Sequence, residues 1–384
     1  MHVLRGGHVV DVDGVREVDV AVDDGRIVAV GDDVEEGDEE TDVSGQFVAP
    51  GLVDAHVHLG MDGRPDVSTV QGESEATAAY RVAANLRDAL DAGVTTVRDL
   101  GARDSLALDA ARAVETGVLD GPRILAAGQN VVMTGGHGHW FGREADGAVE
   151  VRKAAREQLK RGADVVKCMA TGGVLTEGAE TGLPELTAEE LTALVDAASG
   201  KAVPTAAHAH GKDGIDNAVR AGISSIEHGT FMDRETAELM AEQGTYWVPT
   251  TAALVGIVEN GVEAGIPESA VRKADEAIDA HADAFAHALD AGVSIAMGTD
   301  AGTPFNFFAD IPQEMELLVD RGLTPEHALR AATVEAADLL GVDDLGKVAE
   351  GYHADLVVLD ADPTEDASAW REPAAVVAAG ERVR

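Results

Sequence analysis

From about residue 50 to residue 347 the chain alternates short apolar runs with longer helical stretches, and this alternation limits the fold more than any other feature. Gly93–Arg98 (G-V-T-T-V-R), Asp164–Ala170, Ala202–His208, Ser224–His228, Tyr246–Pro249 and Val293–Thr299 read as strands. Helices fit Val149–Arg161, Ala188–Ala198, Lys212–Ala221, Arg234–Gln243, Glu268–Ala291 and Pro325–Leu340. Strands that alternate with helices imply a parallel sheet with crossover helices. The phrase Ala-Gly-Val or Ala-Gly-Ile recurs at Ala92, Ala221 and Ala291, where a glycine cap ends a helix and a strand follows. About eight such units in one run predict a closed (β/α)8 TIM barrel more than an open sheet.

Such a barrel uses roughly 250 residues, and the chain has 384. The excess lies at the two ends. Val3–Val12, Glu17–Val22 and Arg26–Val30 read as strands broken by hairpin signals at Asp13-Gly14 and Asp23-Asp24-Gly25. Asp355–Asp360 (D-L-V-V-L-D) and Ala374–Val383 read the same way. Neither end holds enough strand for a stable sheet of its own. The two are expected to pair into a small β-sandwich of residues 1–49 plus 348–384, beside a barrel of residues 50–347. The fold class is α/β.

Seventy acidic residues face 29 basic ones, only seven of them lysine, for a formal net charge of −41. The acids are spread from Asp32–Glu40 through Glu185–Glu190 to Glu365 and Asp366. Such a surface repels nucleic acid and anionic lipid, so neither nucleic acid nor a membrane is an expected partner. Spread acidity with few lysines reads as halophilic, since high salt screens self-repulsion. Residues 1–20 carry Asp11, Asp13, Glu17 and Asp19 where a secretory leader would be apolar. A lone cysteine, Cys168, excludes an intrachain disulfide framework and fits a reducing compartment. The expected setting is cytoplasmic, with a small-molecule partner and a homo-oligomeric assembly.

Barrel chemistry gathers at the C-terminal ends of strands, and there polar residues break the apolar pattern. Asp54-Ala55-His56-Val57-His58 follows Pro50-Gly51-Leu52. Residues two apart in a strand share a face, so His56 and His58 can point at one ion. Lys167 lies inside V-V-K-C-M, where a charged lysine should not be buried. His208 ends T-A-A-H with His210 two residues on, His228 lies in S-S-I-E-H-G-T, and Asp300 ends S-I-A-M-G-T-D. Each has an ordinary alternative: a satisfied histidine, a lysine that snorkels outward, an aspartate that caps the next helix. Five strand ends presenting metal-type ligands in a barrel-like order are harder to explain that way. The Gly-rich loop Thr134–Gly142 adds His137, His139 and Trp140, with Arg143 beside it, and loops after barrel strands carry specificity.

P-G-L-V-D-A-H-V-H-L, followed by the strand-end Lys, His, His and Asp, resembles the amidohydrolase superfamily. V-V-K-C-M-A-T-G-G-V, A-A-H-A-H-G, I-E-H-G-T and the G-G-H-G of residues 135–138 resemble its prolidase-like and imidazolonepropionase-like dipeptidase branch. The similarity covers the whole chain, including D-L-G-K-V-A-E-G-Y-H-A-D-L-V-V-L-D from Asp344. The resemblance implies two divalent metal ions, zinc being expected. His56, His58 and Asp300 would hold the more buried ion, and His208 and His228 the more exposed one. Lys167, carboxylated by CO2 to a carbamate, would bridge both. An amine is stable in an apolar strand when neutral, and the carbamate is an oxygen ligand suited to two cations. A metal-bridging hydroxide would be the nucleophile, with Asp300 as general base and then proton donor to the leaving amine. His137 is implied to polarise the scissile carbonyl and His210 to meet a substrate carboxylate, a role that Arg143 could fill bidentately. His208 and His210 share a strand face, and only the resemblance makes the first of them the ligand.

The expected activity is hydrolysis of an amide bond in a dipeptide (Xaa-Pro or similar) or an N-acyl amino acid. One alternative is a cyclic-amide hydrolase of imidazolonepropionase type, which resembles a single-metal site without a bridging lysine. The other is a catalytically inactive scaffold of the same fold, whose signature would be missing ligands. All six ligand positions are filled here.

Overall fold

Helices end where their glycines allow it. In the computed structural model, which describes residues 1–384, Gly222 and Gly292 adopt φ of +90° and +71° just past Lys212–Ala221 and Glu268–Ala291. Gly93, at φ +86°, follows the Ala92 cap of Glu75–Asp91. Only glycine takes that conformation without a Cβ penalty. Helices Gly147–Arg161, Ala188–Ser199 and Arg234–Gln243 also lie close to their expected positions. Thr187 caps Ala188–Ser199 through a reciprocal bond with Glu190.

Between these helices run parallel strands in two sheets. One contains Leu52–Val57, Val94–Asp99 and Arg123–Ala126. The other orders Arg143–Glu144, Val131–Val132, Val166–Met169, Thr205–Ala209, Ser225–His228 and Tyr246–Val248. Their ladder is not a closed ring. Between Arg123–Ala126 and the second sheet, the contact is a pair of bonds in which Asp164 donates its N–H to the Ala126 carbonyl and accepts from the Ala126 N–H. On the other side, residues 293–299 do not form the expected regular strand. They meet their neighbours at the isolated bridges Trp247–Ile295 and Val57–Ala301. Backbone bonds still join the segment to both neighbours, Ala55 donating to the Met297 carbonyl and Trp247 to that of Ser294, and Thr299 adds its N–H and its hydroxyl to Asp54. Gly298 passes so near the first strand that an added Cβ would lie 2.9 Å from Cβ of His56. A single apolar cluster of 61 buried residues nonetheless spans both sheets and the surrounding helices, so they share one core.

Two further sheets occupy the ends of the chain. One orders Arg26–Gly31, Asp19–Asp23, His2–Arg5 and Glu39–Asp42. Its four strands are all N-terminal, and C-terminal residues join its Arg26–Gly31 edge, where the Tyr352 carbonyl accepts from the Ile27 N–H and His353 bridges Arg26. The other orders Glu381–Arg382, Ala375–Ala378, Leu356–Leu359, Phe47–Pro50, His8–Asp11 and Gly14–Glu17, mixing both ends. Leu4, Val20 and Ile27 of the first and Val9, Val48 and Val358 of the second belong to one apolar cluster. The expected strand Val3–Val12 is divided at Gly6-Gly7, where Gly6 has φ +71°.

The expected helix Pro325–Leu340 is also divided, into Pro325–Ala331 and Val334–Leu340. The carbonyls of Ala331 and Ala332 accept from the N–H groups of Met297 and Val53, which draws them out of the helical ladder. Helices Leu106–Glu115 and Thr251–Asn260 lie outside the sequence expectation. No helix is long and apolar enough to cross a membrane.

The net charge of −41 sets a first test of the high-salt expectation. The Debye length grows from about 3 Å at 1 M salt to about 30 Å at 0.01 M, so acid–acid repulsion returns as salt falls. Tm followed by circular dichroism should drop by several degrees between molar and millimolar NaCl. An unchanged Tm would remove the halophilic reading.

Candidate active site

The first strand, Leu52–Val57, carries His56 and leads directly into His58, both nearly fully buried. His58 Nδ1 lies 2.8 Å from the Gly101 carbonyl, which can only accept. Its Nδ1 therefore holds the proton, and Nε2 presents a lone pair. His56 Nδ1 lies 2.9 Å from Glu227 Oε2, with the same result for its Nε2. Both lone pairs face one carboxylate oxygen: Asp300 Oδ1 lies 3.4 Å from His56 Nε2 and 3.3 Å from His58 Nε2. His56 Nε2 and Asp300 Oδ1 are buried without a hydrogen-bond partner. Three acceptors aimed at one another repel unless a cation or a proton lies between them. A tetrahedron with bonds of about 2.1 Å has edges of about 3.4 Å, so these atoms fit a divalent ion of the zinc type.

A second group stands beside the first. His208, His210 and His228 offer ligand atoms all within 4.8 Å of one another. His228 Nδ1 lies 2.7 Å from Thr250 Oγ1, whose own proton goes to the Pro249 carbonyl, so the ring donates and Nε2 is free. His210 Nδ1 lies 2.7 Å from Thr230 Oγ1, and His208 Nε2 lies 3.4 Å from the Gly172 carbonyl. Both His208 and His210 stay in this group, so proximity does not choose between them. His137 stacks on His208 with ring centroids 4.4 Å apart. The chain can pass over this stack only at a glycine: an added Cβ on Gly173 would lie 2.6 Å from His137 and 2.7 Å from His208 Nε2.

Lys167, 1% exposed in Val166–Met169, lines the same pocket as both groups. Burial pushes its ammonium below the ordinary lysine range, and the carboxylates of Glu227 and Asp300 partly offset this. Burial raises Asp300 well above the usual carboxylate range, against the pull of Lys167. Burial also lowers the imidazoles, His58 to about 4 and His210 to about 3, which keeps them neutral and able to donate lone pairs. Three residues of the site, His228, Thr250 and Asp300, hold positive φ of 69°, 55° and 61°. Such backbone is strained in non-glycine residues and gathers at functional sites.

Arg143 is not brought to this pocket. Its Nε donates to Glu157 at 2.9 Å, and the guanidinium lies outside the lining residues. Other residues do support the site although the sequence reading gave them no role. Glu227 holds His56 and is itself held by Ser225 and by Arg98, whose Nη2 lies 3.1 Å away, all three buried. Asp54, raised to about 7 by burial, accepts from the His56 N–H and from Thr299. The signal for Glu227 was present, a lone charge inside the strand S-S-I-E-H.

Known proteins share this arrangement of strands. Residues 47–383 match the Amidohydrolase family. The chain is 33% identical over 360 residues to an ochratoxinase of Aspergillus niger, covering 85% of this chain and 73% of that one. A solved prolidase complexed with N-methylphosphonate-L-proline superposes with a TM-score of 0.94 at 32% identity, over 100% of this chain and 99% of the other. A Xaa-Pro dipeptidase with methionine in its active site gives a TM-score of 0.93, also at 32% identity and with the same coverage. The family match and the whole-length superpositions agree: this chain belongs to the Amidohydrolase family, as a hydrolase acting on C–N bonds.

Proposed function

We propose that the protein hydrolyses the amide bond of a dipeptide, Xaa-Pro or similar, or of an N-acyl amino acid, with two divalent metal ions. The observation that carries this reading is the convergence of His56 Nε2, His58 Nε2 and Asp300 Oδ1 with no donor among them. The similarity to a prolidase and a Xaa-Pro dipeptidase supports the substrate class. The two parallel sheets, with residues 293–301 between them, read as a (β/α)8 barrel of residues 50–347. The two terminal sheets read as a β-sandwich of residues 1–49 plus 348–384.

His56, His58 and Asp300 would hold one ion, and His208 and His228 the other. Lys167, as a CO2 carbamate, would serve both. Such ions, when bound, polarise a carbonyl and acidify water. The remaining work falls to the chain. Asp300 takes a proton from the attacking water as its oxygen bonds to the amide carbon. It then delivers that proton to the nitrogen as the C–N bond breaks. His137 hydrogen-bonds the carbonyl oxygen as negative charge develops there. His210, just past the strand that carries His208, meets a substrate carboxylate. Arg143 has no part in this assignment, because Glu157 engages it.

Purified protein in molar salt, screened against dipeptides and N-acyl amino acids with parallel metal analysis, tests the whole reading. Hydrolysis should track metal content and vanish with a chelator. A metal-free protein with full activity would defeat the proposal. His137→Ala should keep its metal content and lose about 10²–10³-fold in kcat, the usual cost of one lost donor to a developing oxyanion. Metal loss from that variant would instead make His137 a ligand.

A further inference from the structure

Residues 173–179 form one wall of the pocket without a backbone ladder of their own. Val174, Leu175 and Thr176 line it beside His137 and Gly138. No backbone–backbone hydrogen bond joins residues 173–179 to each other or to the rest of the chain. Such bonds resume on either side, where the Gly172 N–H donates to the Leu183 carbonyl and the Glu185 N–H to that of Ala170. A span held only at its base opens locally at little cost.

One side chain holds the tip. The carbonyls of Gly173, Thr176 and Ala179 converge on Nζ of Lys273, at 3.1, 2.9 and 2.5 Å. Lys273 belongs to helix Glu268–Ala291, distant in sequence, and is 5% exposed. An ammonium has three protons to donate, and these carbonyls take all three. Lys273 therefore presents no cation to the pocket, and its whole bonding capacity fixes the backbone of this segment. Bonds from a charged donor are the stronger kind.

Thr176 faces both ways. Its carbonyl accepts from Lys273, and its Oγ1 accepts from the Gly138 N–H at 3.1 Å. The adjacent His137 N–H donates to the two carboxylate oxygens of Glu185, at 3.0 and 2.8 Å. Neither N–H has a backbone partner. The ring adds no polar anchor at Nδ1, which is buried without a hydrogen bond. The main chain beneath His137 thus sets where its ring stands, and that main chain is pinned from the segment that Lys273 latches.

We propose that Lys273 and Thr176 are positioning residues for His137. Lys273 fixes the backbone of residues 173–179, and Thr176 passes that constraint to the Gly138 N–H. This rests on the proposed role of His137 at the substrate carbonyl.

Three variants test it in molar salt. Lys273→Met removes the ammonium, Thr176→Val removes the hydroxyl at nearly constant shape, and Thr176→Ser keeps the hydroxyl. Glu177 and Glu180 are exposed, so a glutamate-specific protease reads the latch. Lys273→Met should be cut there at least about tenfold faster than the unaltered protein. Hydrogen exchange in peptides covering residues 134–142 should also quicken at least about tenfold in Lys273→Met and Thr176→Val, with other helices and strands unchanged. In both, kcat should fall about ten- to a hundredfold while KM and metal content hold, the signature of a misplaced group. Thr176→Ser should restore exchange and kcat together. Unchanged proteolysis in Lys273→Met would overturn the latch. Unchanged exchange in Thr176→Val, which carries the test if Lys273→Met does not fold, would overturn the relay. A loosened loop with ordinary kcat would overturn the positioning role. Proteolysis and exchange need no substrate, so they decide on the latch and relay even in a protein that cleaves no amide.

Discussion

Lys167→Ala should empty at least one metal position and nearly abolish turnover. The side chain sits mid-strand, 1% exposed, between Val166 and Cys168. A free ammonium there costs several kcal/mol, offset only in part by Glu227 and Asp300. In the proposed two-metal reading, carboxylation would remove the positive charge and supply the anion that two neighbouring cations need. Losing that anion forfeits several kcal/mol of transition-state stabilisation, on the order of 10³-fold at about 1.4 kcal/mol per factor of ten. Metal analysis and kcat measured on the same preparation check both halves. Short carboxylic acids, able to occupy the vacated position, should restore part of each. Native mass spectrometry of the unaltered protein should show an added CO2 that is lost on denaturation. A Lys167→Ala protein with its full metal complement and ordinary kcat would end the carbamate proposal.

Asp300→Asn should leave the fold and most of the metal in place while kcat falls by about 10²–10⁴-fold, the range for a lost general acid–base group. The amide oxygen can still face His56 and His58, but it cannot take up the proton that must travel from water to the leaving nitrogen. The loss belongs to the transition state, so KM should change little. A near-normal kcat would show that another group moves the proton. His210 and His137 are then the first to be replaced, since both line the same pocket.

What could be read in the sequence depended on whether its cause was local. Helix ends at Gly222 and Gly292 were legible because a left-handed cap is the property of one residue. His56, His58, Lys167, His137, His208, His210, His228 and Asp300 stood out as polar breaks in apolar runs or as residues of a Gly-rich loop, and they line one pocket. Arg143 looked similar for being next to that loop. Its partner Glu157 lies on the following helix, and periodicity alone does not pair two half-buried side chains. Glu227, Arg98 and Asp54 were passed over because their partners lie on segments distant in sequence. Residues 293–299 carry the composition of a strand, but bonds to Asp54 and the close pass of Gly298 make them irregular. Nothing in the segment itself announces either contact.

The pairing of Phe47–Pro50 with Leu356–Leu359 bears on how the protein is made. Phe47–Pro50 leads directly into the strand that carries His56. Its antiparallel partner leaves the ribosome only after every residue between the two strands has been translated. His8–Asp11 holds one edge of Phe47–Pro50 from nearby in the chain, while its other edge waits for a contact with a very long loop to close, and such contacts slow folding. Until then the nascent chain exposes an unpaired strand edge next to His56 and His58. High salt, which strengthens apolar association and quiets acidic repulsion, would be the medium in which that waiting period is least hazardous.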